Sequence, residues 1–177
     1  MAKVLAFAGS NSSKSLNFKL VTYTGGLISG HSVELLDMSE WPFPMYGTDH
    51  EREHGITDSL TTLMRHIQNA DALILSVNEH NGAPSAYFKN VLDWLSRMDR
   101  KFLDGKSVLL MSTAPGRMGG KFSLAIVEQL LPRFGAVVVG SFVLPFFHEN
   151  LDMEKGITDS GLKQGHQEAL QLFLQAL

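Results

Sequence analysis

The sequence contains no cysteine, and this absence excludes several kinds of chemistry at once. Disulfide bonds, thiolate nucleophiles and cysteine-based metal sites are all ruled out. There is also no run of about eighteen apolar residues, the length that a membrane-spanning helix needs. The apolar run near the N-terminus, Val4 to Ala8, is too short for the core of a signal peptide. We therefore expect a cytoplasmic protein that does not associate with a membrane.

Excess charge of either sign is also missing. The formal net charge is −3, and no block of lysine or arginine appears, which argues against binding to nucleic acid or to an anionic membrane. The first apolar run is followed neither by a Walker A loop nor by a G-x-G-x-x-G fingerprint, so a nucleoside triphosphate or a Rossmann-bound dinucleotide is disfavoured. The histidines and carboxylates form no pattern that requires a metal ion or a catalytic acid or base.

What the sequence does contain is a set of short, almost continuous apolar runs in a chain of 177 residues, the size of one domain spanning residues 1–177. Continuous runs are typical of parallel strands that helices cover on both faces. A more alternating stretch, Ser32 to Met38, indicates an edge strand. The continuous runs are Val4 to Ala8, Ala72 to Val77, Val108 to Met111 and Ala136 to Val139.

Helix-like stretches separate these runs. One is expected to have Pro84 in its first turn, and another to present an apolar face made of Phe122, Ile126 and Leu130. Strands that alternate with helices predict a doubly wound α/β fold, a flavodoxin-like five-stranded parallel sheet of order 2-1-3-4-5 with helices on both faces. The first predicted helix begins near Ser15, and the other four cover residues 56–69, 84–97, 119–134 and 159–177.

Ligands of such sheets bind beyond the carboxyl ends of the strands, near the point where the strand order reverses. The loop after the first strand lies in the stretch AGSNSSKSLNFKL, which begins at Ala8. Its hydroxyl groups surround the start of a helix, where free backbone N–H groups and a partial positive charge favour a phosphate monoester. A solvated capping loop has the same composition. The polar residues of this loop are Ser10, Ser12, Ser13, Ser15 and Asn17.

Two further loops follow the third and fourth predicted strands. The second loop combines side-chain amides with a glycine, which suits a flat heterocycle with many donors and acceptors, although an exposed histidine and a solvated carboxylate are equally ordinary there. The third loop contains Pro115 and three glycines, so its N–H groups could point at a ligand or form a simple turn. The candidate residues are Asn78, Glu79, His80, Asn81 and Gly82 in the second loop and Ser112, Gly116, Gly119 and Gly120 in the third.

The three loops together resemble those of the NAD(P)H-dependent FMN reductases of flavodoxin-like fold, a family that also includes azo dye, quinone and chromate reductases. The first loop is similar to the family pattern G-S-x-x-x-x-S-x-N, the second to P-E-Y-N followed shortly by a proline, and the third to S-x-x-x-G-x-x-G-G. Three positions depart from these patterns: Ser12 stands where arginine is frequent, Asn78 where proline is usual and His80 where tyrosine is usual. The residues that carry the resemblance are Gly9, Ser10, Ser15, Asn17, Glu79, Asn81, Pro84, Lys89, Asn90, Asp93, Trp94, Ser112, Gly116, Gly119 and Gly120.

The resemblance implies FMN as cofactor, NADPH or NADH as electron donor and a small molecule as electron acceptor. Ser10, Ser15, Leu16 and Asn17 would then hold the FMN phosphate, with Ser12 beside them. The second loop would run along the isoalloxazine ring, and the third would approach another polar edge of the ring. The family's assemblies imply a homodimer or a dimer of dimers.

Other interpretations remain open at this point. The chain could be an FMN-binding electron carrier or a redox-responsive binding module that does not turn over NAD(P)H, or it could bind another phosphorylated ligand. The aromatic loop Trp41 to Gly47 could line the flavin pocket, form a subunit interface or fold over its own core, and the stretch Phe146 to His148 poses the same choice. His80 is the one side chain that could hydrogen-bond an incoming acceptor.

Overall fold

Five parallel strands form the centre of the molecule in the computed structural model, which describes all residues from 1 to 177. Two additional pairs of very short strands form hairpins outside this sheet. The strands are β1 (Lys3–Ala8), β2 (Ser32–Leu36), β3 (Ala72–Ser76), β4 (Glu79–His80), β5 (Ala83–Pro84), β6 (Ser107–Thr113), β7 (Val137–Leu144), β8 (Leu151–Asp152) and β9 (Gly156–Ile157). The helices are α1 (Leu16–Gly26), α2 (Thr48–His54), α3 (Asp58–Asn69), α4 (Ala86–Met98), α5 (Lys121–Leu130), α6 (Phe147–Asn150) and α7 (Ser160–Gln175).

The strand order of the sheet is β2-β1-β3-β6-β7. Leaving out the β4–β5 hairpin, this is the predicted order 2-1-3-4-5, and the prediction is confirmed. The order reverses at β1, which pairs in parallel with β2 on one side and β3 on the other. Ala8 of β1 is level with Ser76 of β3, and Ser76 is level with Met111 of β6. The loops after these three strands therefore start at the same edge of the sheet.

Apolar side chains bury the sheet on both faces, as the continuous runs predicted. Helices α1 and α7 cover one face with residues such as Leu20 and Phe173, which are fully buried. Helices α3, α4 and α5 cover the other face with residues such as Leu63, Leu95 and Val127. A strand covered in this way can be apolar at every position, whereas a strand with one solvated face must alternate.

Two details of the predicted helices are wrong. Pro84 does not lie in the first turn of α4: it pairs with Glu79 in the β4–β5 hairpin, and Ser85 caps the helix that begins at Ala86. On α5 two of the three residues expected in the core point outward, with Phe122 48% and Ile126 40% exposed, while Leu130 is half-buried against the core. Helix α5 has apolar residues on more than one side, and the side that carries Leu124, Val127 and the small, buried Ser123 packs inward.

The aromatic loop from Trp41 to Gly47 packs against helix α4 of the same chain. The Tyr87 hydroxyl donates to the carbonyl oxygen of Trp41 at 2.8 Å, and the Trp94 indole Nε1–H donates to the carbonyl oxygen of Pro44 at 2.8 Å. The Asn90 amide both donates to Pro44 and accepts from the N–H of Tyr46. These bonds make Asn90 and Trp94 structural residues that hold the loop.

Helix α7 carries a buried histidine, His166, from which we predict an acid-sensitive fold. His166 Nε2 lies 2.9 Å from Thr24 Oγ1, and the imidazole packs edge-on against Phe142. Because the Thr24 hydroxyl donates its proton to the carbonyl oxygen of Leu20, the Thr24 oxygen accepts from His166 Nε2–H. Burial lowers the pKa of His166 from 6.5 to about 4, so the folded protein keeps this side chain neutral.

Lowering the pH should therefore destabilise the wild-type protein more than a His166→Gln variant. Below pH 6.5 the unfolded chain binds a proton at this histidine that the folded chain does not bind until about pH 4. Stability is lost across this window as the pH falls, by about 2–3 kcal/mol at the acidic end. Urea unfolding at pH 7 and pH 4.5 measures the difference, and the exposed His54→Gln is the matched control. An equal acid sensitivity in wild type and His166→Gln would contradict this assignment.

Candidate functional site

The three polar loops meet at the carboxyl edge of the sheet, where backbone hydrogen bonds join their first residues. The N–H of Gly9 donates to the carbonyl oxygen of Ser76 at 2.8 Å, and the N–H of Val77 donates to that of Met111 at 2.8 Å. A Cβ atom on Gly9 would lie 2.7 Å from the Phe88 ring, so α4 can approach the first loop this closely only because residue 9 is glycine. The site thus lies on rigid strand ends.

The side chain of Asn17 connects α1 to two strands of the sheet, β3 and β6. Its side chain is 4% exposed. The amide Oδ1 accepts from the Ser76 hydroxyl at 2.7 Å and from the N–H of Thr113 at 3.0 Å, while Nδ2 donates to the carbonyl oxygen of Thr113 at 3.0 Å. These three bonds commit the Asn17 side chain to the scaffold. What Asn17 still offers to a ligand is its backbone N–H.

Three serines of the first loop share one arrangement: each hydroxyl oxygen accepts a backbone N–H from the loop or from the first turn of α1. Ser10 Oγ accepts from Ser12 at 3.3 Å, Ser12 Oγ accepts from Lys14 at 3.2 Å, and Ser15 Oγ accepts from Phe18 at 3.1 Å. A hydroxyl that accepts in this way keeps its single O–H proton to donate. None of these three protons is used within the chain, so the loop offers three hydroxyl donors.

Backbone donors of α1 add to these hydroxyls. Ser15 caps the helix, and the N–H groups of Leu16 and Asn17 in the first turn have no acceptor in the chain. The first turn contains no acidic side chain, and the one nearby cation, Lys14, is exposed. Unpaired N–H groups at a helix start, together with the positive end of the helix dipole, favour an anion.

The second loop is a two-residue β-hairpin. Asn81 and Gly82 have φ angles of 54° and 76°, the left-handed conformation that a type I′ turn requires at both central positions. Glu79 pairs with Pro84 and His80 with Ala83 on either side of the turn. The hairpin holds His80 exposed at the rim of the site, with Asn78 Nδ2 3.2 Å from its Nε2.

Asn78 carries the one buried side-chain polar atom of the molecule without a hydrogen-bond partner, its Oδ1. A buried acceptor that lacks a donor costs about 1–3 kcal/mol. The atom lies where the second loop leaves β3, at the edge on which the three loops meet. A ring N–H of a bound heterocycle would satisfy it, so this atom fits the group that the sequence predicts.

Side chains clamp the second loop to the third loop and to α5. The Glu79 carboxylate accepts from the N–H groups of Phe122 at 2.9 Å and Ser123 at 3.1 Å, so it caps α5. The Ser123 hydroxyl donates to the carbonyl oxygen of Asn78 at 2.9 Å. The Ser112 hydroxyl donates to the carbonyl oxygen of Val77 at 2.6 Å. Glu79 and Ser112 therefore shape the site through hydrogen bonds within the protein.

The glycines of the third loop are required by its path. Gly119 and Gly120 have φ angles of 57° and 81°, and a Cβ on Gly119 would lie 2.6 Å from Val143 Cγ1. A Cβ on Gly120 would collide with the Ser112 hydroxyl. Gly116 is exposed, and its N–H and that of Arg117 have no acceptor within the chain. The loop thus presents backbone donors at the edge of the site.

The structure brings all the predicted site residues to one edge, but it gives them different tasks. Asn17, Glu79 and Ser112 use their side chains to hold the loops, whereas the serines of the first loop, Asn78, His80 and Gly116 have atoms left for a ligand. Their assignment to a cofactor stays a prediction. The pattern did not identify Ser85, whose buried hydroxyl donates to the carbonyl oxygen of Gly9 at 2.8 Å and accepts from Phe88. Its place just before the Ala86 helix is a capping signal.

A parallel sheet of this order, with polar loops at the point of reversal, defines a flavodoxin-like protein. A family model described as NADPH-dependent FMN reductase matches residues 2–149. The chain therefore belongs to the NADPH-dependent FMN reductase family, as the sequence motifs predicted. The family is one of oxidoreductases that use FMN and NAD(P)H, and this class of enzyme and cofactor is confirmed for the chain.

Individual relatives are distant. An uncharacterised protein of Mycoplasma pneumoniae is 27% identical over 164 residues, which cover 89% of this chain and 95% of that protein. A quinone reductase of Escherichia coli is 29% identical over 121 residues, which cover 67% of this chain and 64% of the relative, less than two thirds of its length. The flavoenzyme NAD(P)H:(acceptor) oxidoreductase FerB of Paracoccus denitrificans shares the fold, with a TM-score of 0.78 at 24% identity over 99% of this chain and 96% of FerB.

No helix of the structure combines the length and apolar composition needed to cross a lipid bilayer.

Proposed function

We propose that this protein is a reductase that takes electrons from NADPH or NADH through bound FMN and passes them to a quinone, azo compound, metal ion or free flavin. The observation that carries the proposal is the donor set of the first loop. Three serine hydroxyls with unused protons and two unpaired N–H groups lie in the loop before α1 and in its first turn. This set suits the phosphate monoester that distinguishes FMN from riboflavin.

The remaining loops complement a flat ring system. Asn78 Oδ1 is a buried acceptor without a partner, and the N–H groups of Gly116 and Arg117 are donors without a partner. An isoalloxazine ring carries both N–H and carbonyl groups on its polar edge, so it would satisfy both kinds of atom. Backbone donors at this edge would also stabilise negative charge that develops on reduction.

The chain needs to supply little chemistry of its own. Bound FMN would accept a hydride from the nicotinamide and deliver electrons to the second substrate. The protein residues bind the phosphate, orient the ring and hold the hairpin at the rim. His80, exposed on the hairpin and 3.2 Å from Asn78 Nδ2, can donate a hydrogen bond to a carbonyl oxygen of the acceptor. A quinone is the favoured acceptor class, since the relative from Escherichia coli carries the name quinone reductase.

We also propose that the protein forms a homodimer. Helix α5 exposes Phe122 and Ile126, which lie one turn apart and are 48% and 40% exposed. Large apolar residues that share an exposed helix face are typical of surfaces buried on association. Helix α5 begins at the third loop, so a partner bound there would also lie near the site.

A visible absorption spectrum tests the proposed function directly. The purified protein is mixed with FMN, desalted, made anaerobic and treated in turn with NADPH and NADH. We expect a retained flavin band that bleaches with at least one nucleotide and returns when a quinone is added. A retained band that neither nucleotide bleaches would favour an electron carrier, and loss of FMN on desalting would favour a different phosphorylated ligand.

A further inference from the structure

Phe146, in the turn after β7, has a backbone conformation that its residue type disfavours. Its φ and ψ angles are 46° and 57°, in the left-handed region. Asn81 is the other non-glycine residue with a positive φ, and it lies in a type I′ turn where asparagine is common. A phenylalanine has no side-chain hydrogen bond to offset the steric cost of this conformation. Such strain persists only where the surroundings enforce it, and it concentrates at functional sites.

The surroundings that enforce this turn are backbone hydrogen bonds, which do not depend on an aromatic side chain. The N–H of Phe146 donates to the carbonyl oxygen of Gly116 at 3.2 Å, and the N–H of Phe147 donates to that of Ala114 at 3.1 Å. The carbonyl oxygen of Phe146 accepts from the N–H groups of Glu149 and Asn150, the last two residues of α6. A glycine would adopt the same conformation without strain.

Core packing does not explain the aromatic ring either. The neighbouring Phe147 is 4% exposed and belongs to the hydrophobic core, whereas Phe146 is 36% exposed. Phe147 therefore anchors the turn, while Phe146 carries a large apolar side chain that reaches solvent. The strain and the exposure together indicate that the ring is retained for a contact outside the folded chain.

The place of Phe146 identifies the kind of contact. Its turn is bonded to Ala114 and Gly116 of the third loop, which presents unpaired N–H groups at the edge of the proposed flavin site. An exposed aromatic ring beside such a site suits a planar aromatic molecule, because offset or edge-on ring contacts add stability beyond apolar burial. A compact inorganic ion gains nothing from the same ring.

We propose that Phe146 is a specificity-determining residue that contacts the electron acceptor and favours planar aromatic acceptors over compact ones. The proposal rests on the proposed reductase function and adds to it the residue that determines which electron acceptors are preferred. The proposed phosphate position follows β1, whereas Phe146 follows β7, three strands away in the sheet, so binding of the FMN phosphate should not depend on the Phe146 ring.

Two substitutions separate an aromatic contact from simple packing. Phe146→Leu keeps apolar bulk and removes the flat ring, and Phe146→Tyr keeps the ring. We expect Phe146→Leu to raise KM for 2-methyl-1,4-naphthoquinone about five-fold relative to KM for hexacyanoferrate(III). We expect Phe146→Tyr to keep the wild-type ratio of the two KM values. The dissociation constant of the quinone from the oxidised FMN-loaded protein, measured by flavin fluorescence without nicotinamide, should rise by the same factor. Leu172→Ala, at an exposed apolar residue of α7, is the matched control.

The outcomes distinguish this proposal from the function beneath it. If the wild type turns over both acceptors and Phe146→Leu leaves the KM ratio and the quinone dissociation constant unchanged, Phe146 does not contact the acceptor. If Phe146→Tyr changes both quantities as much as Phe146→Leu does, the ring has a packing role. If the wild type oxidises neither nucleotide with either acceptor, the proposed function fails, and the assignment of Phe146 fails with it.

Discussion

Replacing Asn17 by alanine should destabilise the protein by about 3–5 kcal/mol, the largest effect that we expect from a single substitution in the first loop. The change removes three hydrogen bonds. It also leaves the Ser76 hydroxyl and the N–H and carbonyl groups of Thr113 buried without partners. For a chain of this size the melting temperature should fall by roughly 10 °C. Differential scanning calorimetry of the protein without added FMN measures the change.

Ser15→Ala is the matched control for this experiment. It removes one capping bond at the start of the same helix, from the N–H of Phe18 to Ser15 Oγ, and should cost about 1 kcal/mol. If Asn17→Ala cost no more than Ser15→Ala, the buried bonds of Asn17 would not hold α1 against β3 and β6. A large loss in the absence of FMN would show that Asn17 acts first on the scaffold.

Ser12→Asp should abolish most FMN binding while leaving riboflavin binding intact. The aspartate can still accept the N–H of Lys14, as Ser12 Oγ does at 3.2 Å, so the loop keeps its path. It replaces a hydroxyl donor by a negative charge next to the proposed phosphate position. The lost bond and the repulsion together should raise the dissociation constant of FMN about 100- to 1000-fold. Flavin fluorescence titration gives both dissociation constants.

Riboflavin lacks the phosphate and so separates charge repulsion from loop damage. We expect its dissociation constant to change less than about three-fold, which is below 0.7 kcal/mol. Gln171→Glu, on the exposed face of α7, makes the same change in net charge and should leave both ligands unaffected. Equal weakening of FMN and riboflavin by Ser12→Asp would mean that the loop is distorted. Unchanged FMN binding would place the phosphate elsewhere.

The strand order could be predicted from the sequence because helices bury both faces of the inner strands, so each strand is a continuous apolar run. The outward face of α5 could not be predicted in the same way. Phe122 and Ile126 form one apolar stripe, and Leu124 and Val127 form another. Periodicity alone does not say which stripe meets the sheet. The hydrogen bonds of the small, buried Ser123 to Glu79 and Asn78 decide the rotation of the helix.

The candidate site was predictable in its residue types and less so in its contacts. The serines of the first loop stand where the motif indicates, but their use of backbone N–H groups depends on a folded path. Asn17 has its partners 59 and 96 residues away, and Glu79 has its own 43 and 44 residues away. No local pattern contains such pairs. The Asn81-Gly82 turn is different, because this dipeptide is itself a strong hairpin signal.

The Glu79 cap on α5 has a consequence for the direction in which a ligand can lie. The first loop leads to the N-terminus of α1, which is free of acidic side chains, whereas the third loop leads to the N-terminus of α5, where a carboxylate already occupies the N–H groups. A molecule with one anionic end and one neutral end finds free N–H donors for its anionic end at α1, whereas at α5 the N–H groups of Phe122 and Ser123 are already occupied by Glu79. The edge of the sheet is thus electrically asymmetric, and this asymmetry alone favours one of the two ways of binding such a molecule.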